Sequence, residues 1–348
     1  MPFRVTNALR YAEAMQTYDP VRFTRELIDV PSISGEEGAV GAFLADALAA
    51  CNYQVEKMPV AEGRFNVFAL PKHCESAEIV LSTHMDTVPP FIASSEDAEN
   101  IYGRGACDAK GIIAAQLGAA EQLRTSGTNV GLLFLVGEER DSLGAKIANA
   151  HPRGSRFLIN GEPTDNRIAV ASKGALRVEL VANGKMAHSA YPQLGESAIE
   201  KLVHAIEKLL AMKLPHDPEV GDCTVNVGVI EGGRAPNVIP DRATALLLYR
   251  LVGPSDDLRQ AVTRAVTGLA DANFTLEIPF VKLRTVAGID TMKAAFTTDI
   301  PALTDWGEPV LLGPGSIHVA HTPGEFLSKR ELHAAIELYV RVVRQLLQ

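Results

Sequence analysis

Two adjacent carboxylates end an apolar stretch of the sequence, "LLFLVGEERD" at Leu132–Asp141. Such a continuous apolar run is typical of a strand that is buried on both faces of a sheet. Glu138 and Glu139 follow it after one glycine, and two negative charges beside a hydrophobic element are costly unless a positive charge meets them. Because neighbouring side chains on an extended segment point to opposite sides, the two glutamates are expected to have different partners.

Histidine and acid side chains also follow other predicted core strands. His84 follows "IVLST", Glu162 follows "RFLING", and His318 and His321 follow "PVLLGPG". Asp108 lies in "GRGACDAKG", directly before a predicted helix. In α/β proteins, ligands bind beyond the carboxyl ends of the parallel strands, so these groups are expected to meet at one edge of the sheet.

Imidazole and carboxylate groups without thiolates form a ligand set suited to zinc, or to a similar divalent ion such as cobalt or manganese. One histidine and one acid for each ion, together with one shared carboxylate, would hold two cations roughly 3.5–4 Å apart. Glu139 would then bind a cation while Glu138 faces the water and the substrate. Spacing alone does not choose between His318 and His321. The five groups that fit this count are His84, Asp108, Glu139, Glu162 and His321.

Each of these residues has an ordinary explanation when it is considered alone. A histidine at a strand end is more often a polar surface residue, and adjacent glutamates usually lie in a solvated turn. Asp86 and Asp108 would serve equally well as turn residues or helix caps. The conjunction favours metal ligands, because an acid or a histidine follows each of four core strands and the HxD and GxGxxDxKG patterns accompany them.

The elements that must position these residues alternate between helix and strand in the first half of the chain. This alternation predicts an α/β domain with a mostly parallel central sheet that is flanked by helices. The predicted helices are Pro20–Val30, Glu36–Cys51 and Lys110–Arg124, and the predicted strands are Phe65–Leu70, Ile79–Thr83, Val130–Val136 and Phe157–Asn160.

The pattern changes from Gly174 to about Pro279, where the order of elements is β-α-β-β-α-β. This order predicts a smaller α+β domain with its helices on one face. A further buried strand in "PVLLGPG" and an amphipathic helix at Lys329–Leu347 follow. The predicted organisation is a catalytic domain at residues 1–173 and 284–348, with an inserted domain at residues 174–283.

Composition excludes several classes of protein. The chain has 348 residues and a net charge of −9, which argues against nucleic acid or an anionic membrane surface as the partner. Four widely spaced cysteines without a CxxC pattern predict reduced thiols. The first 15 residues lack the apolar core of a signal peptide, and no apolar run approaches the roughly 20 residues of a membrane span. We therefore predict a soluble cytoplasmic protein.

Two other enzyme classes are disfavoured by their missing motifs. A serine hydrolase of the α/β type would need a GxSxG elbow, which the sequence lacks. The stretch "YGRGACDAKG" has neither the glycine spacing of a dinucleotide-binding turn nor the GK[ST] ending of a phosphate-binding loop.

An ordered set of motifs along nearly the whole chain resembles the di-zinc aminoacylase/carboxypeptidase family. That family includes acetylornithine deacetylase, succinyl-diaminopimelate desuccinylase and related carboxypeptidases. The resemblance implies that the inserted domain is a lid of ferredoxin-like type, through which two copies of the chain form a homodimer. The motifs are "STHMDTVP", "YGRGACDAKG", "LVGEERDSLGA", "NGEPT", "GKMAHSAYP", "GGRAPNVIPD" and "LLGPGSIHVAHTPGEF".

The same resemblance implies a role for each candidate ligand. His321 rather than His318 would be the ligand, because the family's histidine directly precedes an "xPxE" tail. Asp108 would bridge the two ions. His84 and Glu162 would bind one ion, and Glu139 and His321 would bind the other.

Catalytic roles are implied for three further residues. Asp86 resembles the acid that orients the imidazole of His84. Glu138 resembles the general base, which would take a proton from the attacking water and return it to the leaving amine. His188 resembles a lid histidine that stabilises the tetrahedral oxyanion, from its own chain or from a partner subunit.

The resemblance also implies a substrate with a free carboxylate. Arg250 and Asn237 match lid positions that contact substrate in relatives, and Arg suits a bidentate carboxylate contact. Lys173 and Thr298 are weaker candidates for the same role. Arg250 could equally pair with an acid on the lid, and Asn237 could simply shape a turn.

The predicted activity is metal-dependent hydrolysis of the amide bond of a small N-acyl amino acid. The leading candidate is acetylornithine deacetylation in amino-acid biosynthesis. Alternatives of the same family are an amino-group-carrier lysine/ornithine hydrolase, a succinyl-diaminopimelate desuccinylase and a dipeptidase. An alternative of another class is a non-catalytic metal-binding relative, which the presence of Glu138 disfavours.

Overall fold

The computed structural model describes residues 18–72 and 74–348. The first 15 residues, which concern the signal-peptide prediction, lie outside the described part. Two compact units divide the chain. The first contains the described residues up to Val170 together with Leu283–Met292 and Thr298–Gln348, and the second contains Ala171–Lys282 and Lys293–Thr297. The sequence placed the borders at 173/174 and 283/284 and did not assign Lys293–Thr297 to the inserted domain.

The helices and strands that the sequence predicted occur in the predicted order, together with further elements. The helices are α1 (Pro20–Ile28), α2 (Gly38–Ala50), α3 (Lys110–Thr125), α4 (Leu143–Asn149), α5 (Ala198–Leu210), α6 (Asp256–Val266) and α7 (Lys329–Leu346). The longer strands are β1 (Tyr53–Ala61), β2 (Arg64–Pro71), β3 (Ile79–His84), β6 (Gly131–Leu135), β7 (Phe157–Asn160), β8 (Ile168–Ser172), β9 (Gly174–Asn183), β13 (Thr224–Gly232), β15 (Arg242–Leu251), β16 (Asp271–Ile278), β18 (Thr291–Ala294) and β19 (Glu308–Leu311). The short strands are β4 (Ser95–Glu96), β5 (Asn100–Tyr102), β10 (Ala187–His188), β11 (His216–Asp217), β12 (Gly221–Asp222), β14 (Val238–Ile239), β17 (Val281–Lys282) and β20 (Phe326–Ser328).

The first unit contains a six-stranded sheet in the order β1-β2-β6-β3-β7-β19. Strand β3 runs parallel to β6 and β7, and β19 runs parallel to β7. Strands β1 and β2 add an antiparallel hairpin at one side. This arrangement confirms the predicted α/β fold class, and it places the carboxyl ends of β3, β6, β7 and β19 at the same edge of the sheet.

The central strands are rich in apolar side chains because both faces of the sheet are buried. Leu81 and Leu132 pack with residues of α1, α2, α3 and α7 on one face. Val80 and Leu133 pack on the other face with α4 residues and with Trp306, whose indole is fully buried. The alternation of neighbouring residues between two cores explains why "LLFL" contains no polar side chain.

The second unit has the topology of a ferredoxin-like fold. Its elements occur in the order β9-α5-β13-β15-α6-β16, and its four-stranded sheet has the antiparallel order β13-β15-β9-β16. Helix α5 packs on β9 and β15, and α6 packs on β16. Both helices bury a stripe of apolar residues, as the sequence predicted.

Within the ranges that the structure describes, no helix is both long and apolar enough to cross a membrane.

Candidate metal centre

The predicted ligands lie at the carboxyl edge of the sheet in the first unit. His84 is the last residue of β3, and Glu162 follows the end of β7 by two residues. Glu138 and Glu139 follow β6, from which the chain turns at Gly137 with a φ of +79°. This left-handed backbone conformation is one that side chains rarely adopt, which explains the glycine between the strand and the two acids.

Asp108 and His321 come from outside the strands. Asp108 lies two residues before the start of α3, and His321 lies in the loop between β19 and β20. His321 has a φ of +63°, which is uncommon for a residue other than glycine. The structure thereby brings together all five side chains that the sequence selected.

The five side chains form two groups that share Asp108. In each group, the ligand atoms lie within 4.8 Å of one another. The Nε2 atom of His84 is 2.9 Å from Oδ1 of Asp108, and Nε2 of His321 is 3.2 Å from Oδ2 of Asp108. One group is His84, Asp108 and Glu162, and the other is Asp108, Glu139 and His321.

The two groups differ in their exposure to solvent. His84, Asp108 and Glu162 are all buried. In the second group, the side chain of His321 is 48% exposed, and its Nε2 atom lies 2.8 Å from Oε1 of Glu139. One group is therefore enclosed, whereas the other has an open side.

The acids perturb one another strongly. Burial, together with the neighbouring carboxylates, raises the pKa of Glu138, Glu139 and Glu162. The hydrogen bonds to Asp108 and Glu139 raise the pKa of His321 to about 10. The raised pKa values of the three glutamates and of His321 reflect an excess of buried negative charge at this site.

This donor set fits divalent cations. The Oε1 atom of Glu162 is buried and has no hydrogen-bond partner in the described part of the chain. This oxygen is therefore available to coordinate a cation. Imidazole nitrogens and carboxylate oxygens without thiolates match zinc and similar ions. Cations would also favour the ionised form of the carboxylates, which burial alone disfavours.

Asp86 is completely buried behind the two glutamates. Its Oδ1 and Oδ2 atoms accept hydrogen bonds from the backbone N–H groups of Glu138 and Glu139, at 3.1 and 3.2 Å. Its Oδ2 atom also accepts a hydrogen bond of 2.7 Å from the Ser34 hydroxyl. The Nδ1 atom of His84 lies 3.6 Å from Oδ1 of Asp86 and 3.0 Å from its backbone carbonyl. The sequence motif indicated only the contact with His84.

Three of the candidate residues, His188, Asn237 and Arg250, belong to the second unit. His188 is exposed on β10, which pairs with β14, and its Nδ1 atom accepts a hydrogen bond of 3.2 Å from the Ala190 N–H. The carbonyl of Asn237 accepts from the Ser189 N–H at 3.0 Å, so His188 and Asn237 lie on one small ribbon. Arg250 is half-buried on β15, and burial lowers the pKa of its guanidinium.

Lys173 and Thr298 have contacts that account for them without a substrate. The ammonium group of Lys173 donates to the Asp222 carbonyl at 2.6 Å. Thr298 belongs to the first unit, is buried, and accepts from the Ile300 N–H at 3.2 Å.

Asp299 is an acid that the sequence analysis missed. It is 1% exposed, and neither carboxylate oxygen has a hydrogen-bond partner of ordinary length among the residues that the structure describes. Burial raises its pKa to about 7, although Ser142 opposes the shift. Its negative charge also raises the pKa of Glu138 and Glu162. The only signal in the sequence was its position next to Thr298.

Comparisons with known proteins identify relatives along most of the chain. The chain is 39% identical over 375 aligned residues to a probable carboxypeptidase of Aspergillus fumigatus, with 92% of this chain and 85% of that protein covered. It is 35% identical over 338 residues to a peptidase M20 domain-containing protein of Schizosaccharomyces pombe, with 92% and 82% covered. The model of the peptidase dimerisation domain matches residues 170–274.

Solved structures share the fold at lower sequence identity. A tripeptidase from Staphylococcus aureus has a TM-score of 0.79 and 23% identity, with 94% of this chain and 98% of that chain covered. A dinuclear metal-binding peptidase of the M20 family from Bacillus subtilis has a TM-score of 0.65 and 18% identity, with 97% and 99% covered.

These relatives define a class of peptidases that combine an α/β unit with a dimerisation domain. The chain belongs to the M20 peptidase family. The family resemblance seen in the sequence is thereby confirmed at the level of a hydrolase family.

Proposed function

We propose that this chain is a two-metal hydrolase that cleaves the amide bond of a small peptide or N-acyl amino acid with a free carboxylate. The observation that carries the proposal is the pair of ligand groups that share Asp108. Such a pair suits two divalent cations, most simply zinc, with cobalt and manganese as alternatives. His84, Asp108 and Glu162 would hold one cation, and Asp108, Glu139 and His321 would hold the other.

The cations, when bound, would polarise the scissile carbonyl and make the attacking water more acidic. Glu138 would act as the general base, because it is a buried acid next to Glu139, and burial with the nearby acids raises its pKa above the ordinary value of a glutamate. It would take the proton from the water and deliver it to the leaving amine. Asp86 would keep Glu138 in place through the backbone N–H bond and would orient His84.

We propose His188 as the donor to the tetrahedral oxyanion. Its Nδ1 atom accepts the Ala190 N–H, which leaves the Nε2 side of the exposed ring to donate a hydrogen bond. That donor would stabilise the negative charge of the oxyanion. Whether His188 serves its own active site or that of a partner subunit is tested by mixing inactive variants.

The proposed substrate class is supported by the names of the relatives and by the positively charged side chain of Arg250. The names of the relatives include carboxypeptidase and tripeptidase, so we propose peptide hydrolysis as the main activity. Arg250 would bind the free carboxylate, assisted by Asn237. Lys173 and Thr298 are the weakest of the proposed substrate contacts, because both already have protein partners. Hydrolysis of N-acetylornithine and cytoplasmic location stay predictions.

A homodimer through the second unit is also proposed. The dimerisation-domain match supports it, and so do the exposed apolar side chains of Val203 and Leu210 on α5 and Val229 and Ile230 on β13. Light scattering after size-exclusion chromatography measures the mass. A monomeric mass at micromolar concentration would contradict the dimer without affecting the metal centre.

A substrate panel with defined metal content tests the function. Protein freed of metal by a chelator is reloaded with zinc, cobalt or manganese, and its ion content is measured. It is then assayed with dipeptides, tripeptides, N-acetylornithine, other N-acyl amino acids and the C-terminal amides of the same peptides. We expect activity only after reloading, and a lower KM for the free acids than for the amides.

The Arg250→Ala variant provides the matched comparison. Its KM should rise for the free acids and stay unchanged for the amides, because only the free acids have a carboxylate for the guanidinium to bind. Full activity in the metal-free protein, or no hydrolysis of any substrate after reloading, would refute the proposed function.

A further inference from the structure

A buried ion pair outside the proposed ligand set connects the two loops that carry Asp108 and His321. Glu325 is 1% exposed and Arg104 is 2% exposed. Nη1 of Arg104 donates to Oε2 of Glu325 at 2.5 Å. A buried ion pair is weak evidence for stability, because the desolvation of two charges offsets much of their attraction. The position of this pair therefore needs another explanation.

The carboxylate oxygen of Glu325 that does not bind Arg104 holds the backbone of the Asp108 loop. Its Oε1 atom accepts from the backbone N–H groups of Gly105, Cys107 and Asp108, at 3.0, 3.3 and 3.3 Å. The Gly103 N–H donates to the backbone carbonyl of Glu325 at 3.2 Å. The loop that ends in the shared ligand is thus wrapped around one carboxylate.

The guanidinium of Arg104 holds the His321 loop in turn. Besides Glu325, its Nη1 atom donates to the Thr322 carbonyl at 3.3 Å, and its Nη2 atom lies 3.5 Å from the His321 carbonyl. His321 needs such support, because its backbone is left-handed and its ring is half-exposed. The planar fork of an arginine suits contacts in several directions, which a lysine cannot reproduce.

The two ligand groups depend on this pair to different degrees. Asp108 and His321 both belong to the group that includes Glu139, so two of its three members lie on the connected loops. In the other group, His84 ends β3 and Glu162 follows β7, where the parallel sheet fixes the backbone. Only Asp108 connects that group to the pair.

We propose that Arg104 and Glu325 are positioning residues for the ion held by Asp108, Glu139 and His321, and that they act by fixing the His321 loop against the Asp108 loop. The inference rests on the proposed two-metal function and goes beyond it. It implies that the two ions are lost separately when the pair is broken.

Stepwise zinc affinity tests the proposal in two conservative variants. Glu325→Gln keeps an oxygen for the backbone N–H groups and breaks the ion pair, and Arg104→Lys keeps the charge and loses the fork. Metal-free protein is titrated with zinc against a chromophoric chelator, and bound zinc is measured by elemental analysis. Leu48→Ala, at a fully buried position on α2, which packs on β1 and β2, is the control for general destabilisation.

We expect two bound zinc ions in the wild type and in the Leu48→Ala control. In both pair variants, the dissociation constant of one of the two ions should rise about 10–100-fold, as for other groups that orient metal ligands, while that of the other ion changes much less. Two ions bound with unchanged affinities would overturn the positioning role and leave the proposed function intact. The positioning role would also be overturned if both ions weakened equally or if Leu48→Ala behaved like the pair variants. A wild type that binds no zinc would overturn the proposed function as well.

Discussion

Substitution of Asp86 by asparagine tests how the carboxyl edge of the sheet is organised. Asp86 is fully buried and accepts from the Ser34 hydroxyl and from the backbone N–H groups of Glu138 and Glu139. Asparagine has the same shape but offers one oxygen and one amide NH₂ group. Whichever way the amide turns, its NH₂ faces a backbone N–H group, so one buried donor loses its acceptor.

The expected magnitude follows from these contacts. A buried donor without a partner costs about 1–3 kcal/mol, and the remaining hydrogen bond loses the contribution of the charge, roughly another 1 kcal/mol. We therefore expect the free energy of unfolding of the metal-free protein to fall by about 2–4 kcal/mol. Because His84 also loses its orienting carboxylate, zinc affinity should fall about 10–100-fold.

The pH dependence gives an independent check. Although burial raises the pKa of Asp86, the interactions with His84 and the hydrogen bonds lower it overall. A depressed carboxylate contributes stability above its unfolded pKa of about 3.9, and the contribution is lost as the pH falls through the lower folded value. The stability difference between the wild type and Asp86→Asn should thus be constant from about pH 6 to 8 and shrink below about pH 4.

Urea unfolding of the metal-free proteins and zinc competition measure these changes. Ser34→Ala is the matched control, since it removes one of the same contacts and should cost only about 1 kcal/mol. A loss of stability in Asp86→Asn no larger than that of Ser34→Ala, together with unchanged zinc affinity, would refute the reasoning.

Three further substitutions test separate parts of the site. Glu138→Gln should keep both metal ions and lower kcat about 10²–10⁴-fold, as expected for a general base; equal loss of metal, measured by elemental analysis, would show that its role is misassigned. His188→Ala should lower kcat about 10²–10³-fold without changing metal content, and an unaltered kcat would remove it from the mechanism. Asp299 has a raised pKa of about 7, so the wild type loses stability as the pH rises from about 4 to 7. Asp299→Asn should therefore become progressively more stable than the wild type over that range in urea unfolding of metal-free protein, by at most about 4 kcal/mol; a difference independent of pH would contradict the shift.

The sequence was sufficient for the features that depend on local patterns. Apolar runs of three or more residues predicted β3, β6 and β7, because strands buried on both faces are rich in apolar side chains. The rule that ligands gather beyond parallel strands then selected His84, Glu139 and Glu162, which the structure brings together. The β-α-β-β-α-β order of the second unit was also evident, since each of its elements has a clear hydrophobic period.

Several elements and contacts could not be predicted from local patterns. Strand β1 carries charged residues on its exposed side and was not predicted, and neither was the short helix α4. The bonds from Asp86 to the backbone of Glu138 and Glu139 join positions more than 50 residues apart. A backbone N–H group has no signature in the sequence, so its partner is known only when the chain is folded.

The sequence by itself determined the family, the fold class and the side chains that have metal-binding chemistry, because each follows from residue types at fixed local spacing. Only the tertiary structure decided that Asp86 accepts from the backbone of Glu138 and Glu139, and that Glu325 supports the Asp108 loop. It also showed that neither carboxylate oxygen of the buried Asp299 has a hydrogen-bond partner of ordinary length among the described residues. These facts depend on the distances and burial created by long-range packing, which determine the pKa of each acid and the partners available to it.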